Sequence, residues 1–343
     1  MSHWLKPATE QHESARSFEL NMDVTLFDVI KPVIISAVIV MNITLNTIVI
    51  AVIVRHPQLR EDRTTLFMLS LTLSDLANGC TAMPISAAVC SNVTPQARTM
   101  TDLLPKFHLM CTAWFVFNSL HSLCWMTVCK LVAITKPLRY EQILSRGRCR
   151  AIVCFTWLSG IVIATTFLYG DTTWDMNTCV VRKHGHSIAV RAIFLLGFTL
   201  GQVVPTVVIV YSTARIFYVI VRTHLRITAQ VNSVVVEIAS VRDVPCLTLK
   251  SIRSGRNLLL ICLAYLVLTI PIAVDMVAVV TRQDTHLPDS YRFAAVWIMM
   301  CNSSVNSLLY IVFYRSIRRE TVAMVTEWYN SIVHCMVDIR RCY

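Results

Sequence analysis

Seven long apolar runs divide the chain, and charged or turn-forming residues separate each run from the next. Each run holds about twenty residues or more, which as α-helix is long enough to cross the roughly 30 Å hydrocarbon core of a bilayer. The pattern therefore predicts an all-α membrane protein, a seven-transmembrane helix bundle. The predicted spans, numbered one to seven, are Val33–Val54, Thr65–Val89, Leu103–Val128, Ala151–Tyr169, Ile188–Val221, Leu258–Val280 and Phe293–Phe313.

The distribution of charge gives the bundle an orientation. Charged residues make up only 15% of the chain, against about a quarter in a soluble domain. The segments that follow spans one, three, five and seven, counted with Arg215 at the inner end of span five, hold 21 of the 31 lysines and arginines and 8 of the 20 acidic residues, a sum of +13. The positive-inside rule assigns these segments to the cytoplasm and the N-terminus to the outside. The net charge of +11 thus reports topology and a basic inner face that suits membrane lipids or a protein partner, and no nucleic-acid partner is predicted.

Three regions follow from this orientation. Residues 1–30 are predicted to form an extracellular tail, residues 31–313 the transmembrane bundle, and residues 314–343 a cytoplasmic amphipathic helix and tail. In the last region apolar side chains recur at three- and four-residue steps, which is typical of a helix lying on a membrane surface. The residues of that apolar face are Ile317, Met324, Trp328, Ile332, Cys335 and Met336.

Polar residues inside the spans are the first functional candidates, because an ionisable side chain within a bilayer costs several kcal/mol unless it has partners or water. Asp75 lies in the middle of span two, and Ser119, Asn302 and Asn306 lie at mid-depth in spans three and seven. Such oxygen atoms suit a small cation. The same residues also suit an interhelical hydrogen-bond cluster that only joins helices. The spacing leaves both interpretations open.

Residues in each span and in the segment after span three form a set that can be compared with known families. They are Asn46 in span one, Leu71–Asp75 in span two, Ser119 and Leu123 in span three, Ala133–Tyr140 after it, Trp157, Pro205 and Pro271 in spans four to six, and Asn306–Tyr310 in span seven. By these residues the chain resembles the rhodopsin-like (class A) G-protein-coupled receptors from about residue 31 to residue 320. The resemblance implies a receptor that couples an extracellular small molecule or peptide to a heterotrimeric G protein or arrestin at the plasma membrane. It also implies an allosteric sodium site at Asp75, Ser119, Asn302 and Asn306.

Several positions depart from the family pattern. Cys129-Lys130-Leu131 stands where the family has Asp/Glu-Arg-Tyr, Thr269 stands where span six has tryptophan, and Ser307 replaces the span-seven proline. Lysine keeps the positive charge of arginine but not its planar fork. The resemblance therefore predicts a receptor with altered activation switches. Its alternatives are a non-signalling decoy or scavenger and, less favoured, a transporter. The expected switch and G-protein contact residues are Lys130, Tyr265, Pro271 and Tyr310.

The resemblance also indicates where a ligand would bind, between the outer halves of spans three, five, six and seven. Thr112 occupies the position at which amine receptors carry aspartate, which argues against an ordinary amine ligand. Asp275 and Arg292 either pair with each other or contact the ligand. The ligand-binding candidates are Thr112, Phe115, Asp275, Arg292 and Trp297.

A disulfide and a glycan are predicted outside the membrane. Family members usually join a loop cysteine to the top of span three, but that position is Pro105 here, so the resemblance leaves Cys179 with Cys111, with Cys90, or free. Asn92 begins an Asn-X-Thr sequon that the following proline weakens. No constellation of nucleophile, base and oxyanion donors indicates an enzyme.

Overall fold

The computed structural model describes residues 8–90, 103–168, 171–175, 178–184, 188–234, 246–280 and 287–342. Helices cover all seven predicted spans. In chain order they are Ala8–Arg55 for span one, Arg63–Cys80 and Ala82–Cys90 for span two, Leu103–Thr135 for span three, Arg146–Thr165 for span four, Ile188–Phe198 with Val204–Val234 for span five, Cys246–Val280 for span six and Asp289–Phe313 for span seven.

Short elements complete the described chain. A π-helical turn, Thr199–Val203, joins the two helices of span five. Capping side chains stabilise the inner ends at which two spans begin. Asp62 accepts a hydrogen bond from the backbone of Thr64, and Ser145 accepts one from that of Arg148. The other short helices are Pro57–Arg60, Pro137–Arg139, Tyr140–Ile143 and Thr166–Leu168.

Span two is divided, which the single predicted run did not show. Among the described residues, six helices are individually long and apolar enough to cross a membrane, and span two is not one of them. Its two helices meet at Thr81, whose backbone leaves the helical region (φ −120°, ψ −78°). Pro84 has no N–H to donate to the carbonyl of Cys80, so the helical ladder lacks a bond at this point.

The apolar core extends over the depth of the bundle in two principal clusters. The inner cluster includes Met126, Ile216, Ile261 and Tyr310, all almost fully buried. Close approach of spans three and five depends on Gly201 in the π-helical turn, where an added Cβ would lie 2.7 Å from Cδ2 of Phe117. The outer cluster gathers residues from spans one, two and seven with one cysteine of the loop between spans four and five, namely Ile35, Val38, Met83, Cys179, Phe293, Val296, Trp297 and Met300.

That loop forms an antiparallel hairpin of β1, Asp171–Asp175, and β2, Val180–His184. Cys179, in the turn, is bonded to Cys90 at the outer end of span two, with 5.4 Å between their Cα atoms. The structure therefore decides between the open partners: Cys111 is a free, buried thiol, because it lies deeper in span three among apolar side chains. Asn92 and its sequon lie outside the described residues.

A long helix, Arg315–Cys342, follows span seven as predicted. Ile317, Thr321 and Met324 are buried, and His56 Nε2 lies 3.3 Å from Glu320 Oε2. Trp328 and Met336, placed on the same predicted apolar face, are 45% and 58% exposed. The first three turns therefore pack on the bundle, and the later part presents apolar side chains on its surface.

Candidate functional site

Asp75 lies at the centre of the bundle, where it is 2% exposed. Its Oδ1 accepts a 2.9 Å hydrogen bond from Ser303 Oγ of span seven. Ser119 and Asn306 also lie close to this carboxylate. Side chains from spans two, three and seven thus converge on one buried carboxylate, and three of the four predicted ion-site residues meet there.

A cavity of about 30 Å³ borders this carboxylate, enough to admit one or two water-sized guests. Asn302, the fourth predicted ion-site residue, also lines it. Asp75 Oδ2, Asn302 Oδ1 and Asn306 Oδ1 are buried and accept no hydrogen bond from the part of the chain that the structure describes. Buried oxygens without donors are costly, and a carboxylate with amide and hydroxyl oxygens is a fitting ligand set for a small hard cation.

Hydrogen bonds connect span one to this region. Asn42 Nδ2 donates to the backbone carbonyl of Asp75 (2.9 Å), and Asn46 Nδ2 donates to the carbonyl of Ser303 (3.4 Å). Ser307 Oγ in turn donates to Asn46 Oδ1 (2.7 Å). The backbone that carries Asp75 is therefore held by a polar network as well as by apolar packing.

The cavity continues from Asp75 toward Thr269, the residue that stands where tryptophan was expected, and Gln202 and Tyr265 line its far side. The hydroxyl of Tyr265 lies 2.8 Å from Thr206 Oγ1 and accepts a 3.1 Å hydrogen bond from Gln202 Nε2. Thr206 Oγ1 donates to the backbone carbonyl of Gln202 (2.7 Å), so it is free to accept from Tyr265. A small side chain at 269 is thus accompanied by a polar contact between spans five and six.

Asp275 and Arg292 form an ion pair at the outer end of the bundle. Arg292 Nε lies 3.5 Å from Asp275 Oδ1, and the two side chains are 9% and 12% exposed. Of the two interpretations left open by the sequence, pairing is therefore the arrangement that the structure presents. The nearby Tyr291 hydroxyl donates to the carbonyl of Pro271 (2.9 Å) and so adds a second polar contact between spans six and seven.

The other ligand candidates are dispersed. Thr112 is half-buried at the outer part of span three, and Phe115 packs with Ala82 and Cys111 against spans two and four. Trp297 belongs to the outer apolar cluster, where its Nε1 donates to the carbonyl of Thr178 in the hairpin turn (3.1 Å). Phe115 and Trp297 thus lie in separate packing clusters.

Comparison with known proteins decides the family. Residues 45–310 match the family described as 7 transmembrane receptor (rhodopsin family). The chain belongs to this family. It is a G-protein-coupled receptor and a multi-pass membrane protein, as the sequence predicted, and its seven-helix fold is confirmed.

Individual relatives are identical to the receptor at about a quarter of the aligned positions. Trace amine-associated receptor 9 of Rattus norvegicus is 25% identical over 291 residues, which cover 82% of each chain. Trace amine-associated receptor 7d of the same organism is 24% identical over 286 residues, covering 82% of the receptor and 78% of that protein. Octopamine receptor 1 of Lymnaea stagnalis is 28% identical over 149 residues, 42% of the receptor and 22% of that protein.

The inner end of span three carries Lys130, at the position where the family has arginine. Lys130 has no carboxylate within ion-pair distance among the described residues, and the neighbouring Cys129 is fully buried. Arg63 instead carries the polar contacts here, lying 5.0 Å from the centroid of the Tyr140 ring and 3.2 Å from Glu141 Oε1. Burial raises the pKa of Tyr140 to about 12, so its hydroxyl stays neutral.

A second contact at the inner end of the bundle joins spans six and seven. Asn257 Nδ2 donates to the backbone carbonyl of Phe313, the last residue of span seven (2.7 Å). Tyr310, one turn earlier and fully buried, packs edge-to-face against Tyr314 with 5.8 Å between ring centroids. Asn257 thereby caps a helix end whose carbonyls otherwise lack donors.

Sequence reasoning missed Asn42, Asn257 and Gln202 in this network and assigned no contact to Ser307. Asn42 precedes Asn46 by four residues, and Ser303 precedes Ser307 by four, so each pair shares a helix face. Two polar residues on one face of an apolar span were a usable indication of a contact between helices. Asn257 and Gln202 stand singly, and nothing in their spacing predicted their partners.

Proposed function

We propose that the receptor binds an extracellular small molecule at the plasma membrane and passes the event to a heterotrimeric G protein, with its N-terminus outside and its C-terminus in the cytoplasm. The observation that carries this proposal is the cavity beside Asp75. Residues of spans two, three, five, six and seven line that one cavity, including Asp75, Ser119, Gln202, Tyr265 and Asn306. A rearrangement at its outer side therefore alters contacts on every one of these helices.

Asp75, Ser119, Asn302 and Asn306 are proposed to hold a sodium ion. Bound there, the ion supplies a positive charge that compensates the buried carboxylate and satisfies oxygens that lack hydrogen-bond donors. Ser303 already donates to Asp75 Oδ1 and keeps that oxygen oriented. Because binding would favour the conformation that closes the cavity, the ion would act as an allosteric regulator.

The ligand is proposed to lie near Thr112, Asp275 and Arg292, which face the outer part of the bundle. The printed names of the relatives refer to trace amines and octopamine. Thr112 has no charge to pair with an amine, and Asp275 already pairs with Arg292. A ligand that enters this region therefore either bonds to neutral donors and acceptors or exchanges partners with that buried ion pair.

The basic inner face is proposed to receive the G protein or arrestin and to meet anionic lipid. Altered switches are part of the same proposal. Lys130 has no carboxylate partner among the residues that the structure describes, and Tyr265 is hydrogen-bonded where Thr269 replaces an aromatic side chain. Those two features also favour the second candidate, a binding protein that does not signal.

One assay separates the two candidates. Dissociation of G-protein heterotrimers is measured by energy transfer in cells that express the parent, Lys130→Arg or Lys136→Arg at matched surface levels. Lys136→Arg is the control, because it makes the same change at an exposed position beyond span three. Basal or ligand-induced activation by the parent supports signalling. If neither the parent nor Lys130→Arg causes heterotrimer dissociation with any of a panel of G proteins and small molecules, the non-signalling candidate is supported.

A further inference from the structure

The inner half of span six is a segment that can pivot. Pro271 lies within the helix Cys246–Val280 and has no N–H to donate to the carbonyl of Val267, so the helical ladder is interrupted there. The helix continues inward from this point to the cytoplasmic surface. Whatever contacts hold residues 255–265 to their neighbours therefore set the position of the whole inner segment.

Charge does not hold this segment to span three. From Cys246 to Val274 the helix contains no acidic residue, whereas Lys250, Arg253 and Arg256 all lie near its inner end. Lys130, at the inner end of span three, carries the same sign. Like charges at the ends of adjacent helices repel, so the electrostatic force between these ends favours separation.

A buried hydrogen bond holds the inner segment of span six to span seven. Asn257 is 8% exposed, and its Nδ2 lies 2.7 Å from the carbonyl oxygen of Phe313. Span seven ends at Phe313, because Tyr314 adopts an extended backbone (φ −90°, ψ 101°). The Asn257 amide therefore supplies the donor that a continuing helix would have supplied. The bond joins two different helices at their cytoplasmic ends, and it cannot persist if span six moves away from span seven.

We propose that Asn257 is the positioning residue that holds the inner end of span six against span seven in the resting receptor, the role an ion pair to Lys130 does not fill. A buried hydrogen bond contributes a net of about 0.5–1.5 kcal/mol, which is a factor of about two to twelve in the ratio of closed to open span six. The inference rests on the proposed signalling function for its consequence, but the position of span six can be measured without a G protein.

The test uses the full-length receptor purified in nanodiscs. Spin-labelled noncanonical amino acids replace Arg256 on span six and Arg150 on span four, both exposed, and pulsed electron resonance gives the distribution of distances between them. Asn257→Leu removes the donor at similar volume and is expected to raise the open-to-closed ratio about two- to twelvefold. Thr135→Val is the matched control: it removes a hydroxyl at the inner end of span three that donates only to its own helix, at Leu131.

The outcomes distinguish this proposal from the proposed function. A shifted distribution in Asn257→Leu, with Thr135→Val unchanged, supports the positioning role even if no G protein is activated. A distribution identical to that of the parent in a monodisperse Asn257→Leu sample overturns it. If that variant does not fold, Asn257→Ser takes its place, because its side chain is too short to reach Phe313 while remaining polar. A rise in basal G-protein activation that parallels the shift supports signalling as well.

Discussion

Ser307 donates a 2.7 Å hydrogen bond to the side-chain oxygen of Asn46, and both residues are fully buried. Ser307 occupies the position at which the family resemblance leads one to expect proline. The substitution restores a backbone N–H to span seven and adds a hydroxyl that bonds to span one. Since Asn46 also donates to the carbonyl of Ser303, one asparagine contacts two successive turns of span seven.

Replacing Ser307 with alanine is expected to lower the stability of the receptor by about 1–3 kcal/mol, because it leaves Asn46 Oδ1 buried without that donor. The midpoint of thermal unfolding in detergent measures the effect. Ser331→Ala is the control, since Ser331 is exposed and donates to the carbonyl of Glu327 on its own helix. Equal midpoints for Ser307→Ala and the parent would show that this hydrogen bond contributes no stability.

Sodium is expected to stabilise the parent but not Asp75→Asn. Ligand binding at tenfold over its Kd adds about 1.4 kcal/mol, and the neutral amide removes the charge that attracts the ion. Thermal midpoints are compared in sodium chloride and in N-methylglucamine chloride at equal ionic strength. Glu327→Gln, an exposed neutralisation on the C-terminal helix, is expected to keep the sodium effect. A parent with the same midpoint in both salts contradicts the ion site.

Cys90→Ser is expected to destabilise the receptor by about 2–5 kcal/mol, because it removes the disulfide to Cys179. Cys111→Ser keeps that disulfide and serves as the comparison. Maleimide labelling after denaturation without reductant counts free thiols. Relative to the parent, Cys90→Ser raises the count by one, because it frees Cys179, while Cys111→Ser lowers it by one. The reverse result, with Cys90→Ser lowering the count by one and Cys111→Ser raising it by one, would assign the bond to Cys111.

Tyr265→Phe is expected to raise basal G-protein activation about two- to twelvefold, the range given by losing one net hydrogen bond of about 0.5–1.5 kcal/mol. The change removes only the hydroxyl that contacts Thr206 and Gln202, and so weakens the link between spans five and six. Tyr211→Phe is the control, because Tyr211 is 60% exposed on span five. If both variants match the parent while the parent signals, the hydroxyl does not restrain span six.

The sequence predicted the helices well because a bilayer imposes one requirement, an apolar run of sufficient length, that can be read without tertiary contacts. Asp75 was found for the same reason, since a carboxylate in such a run is conspicuous. The division of span two at Thr81 was not predicted, because hydropathy reports burial and not helical continuity. Pro84 was the available indication, but prolines are also common in unbroken transmembrane helices.

The sequence also did not predict which residues contact each other across helices. The pairing of Cys179 with Cys90 depends on where the hairpin lies over the bundle, which no spacing in the chain encodes. The hydrogen bond from Asn257 to Phe313 has a backbone carbonyl as acceptor. Every residue type has such a carbonyl, so the identity of residue 313 could not predict the bond. Contacts of this kind become visible only when the helices are packed.

The disulfide to Cys90 determines which part of the bundle follows a displacement of the hairpin. An antibody or peptide that displaces the hairpin pulls, through this covalent bond, on the nine-residue helix Ala82–Cys90. The break at Thr81 separates that helix from the one carrying Asp75. We therefore expect the short helix to tilt about Thr81 while Asp75 keeps its hydrogen bond from Ser303 of span seven.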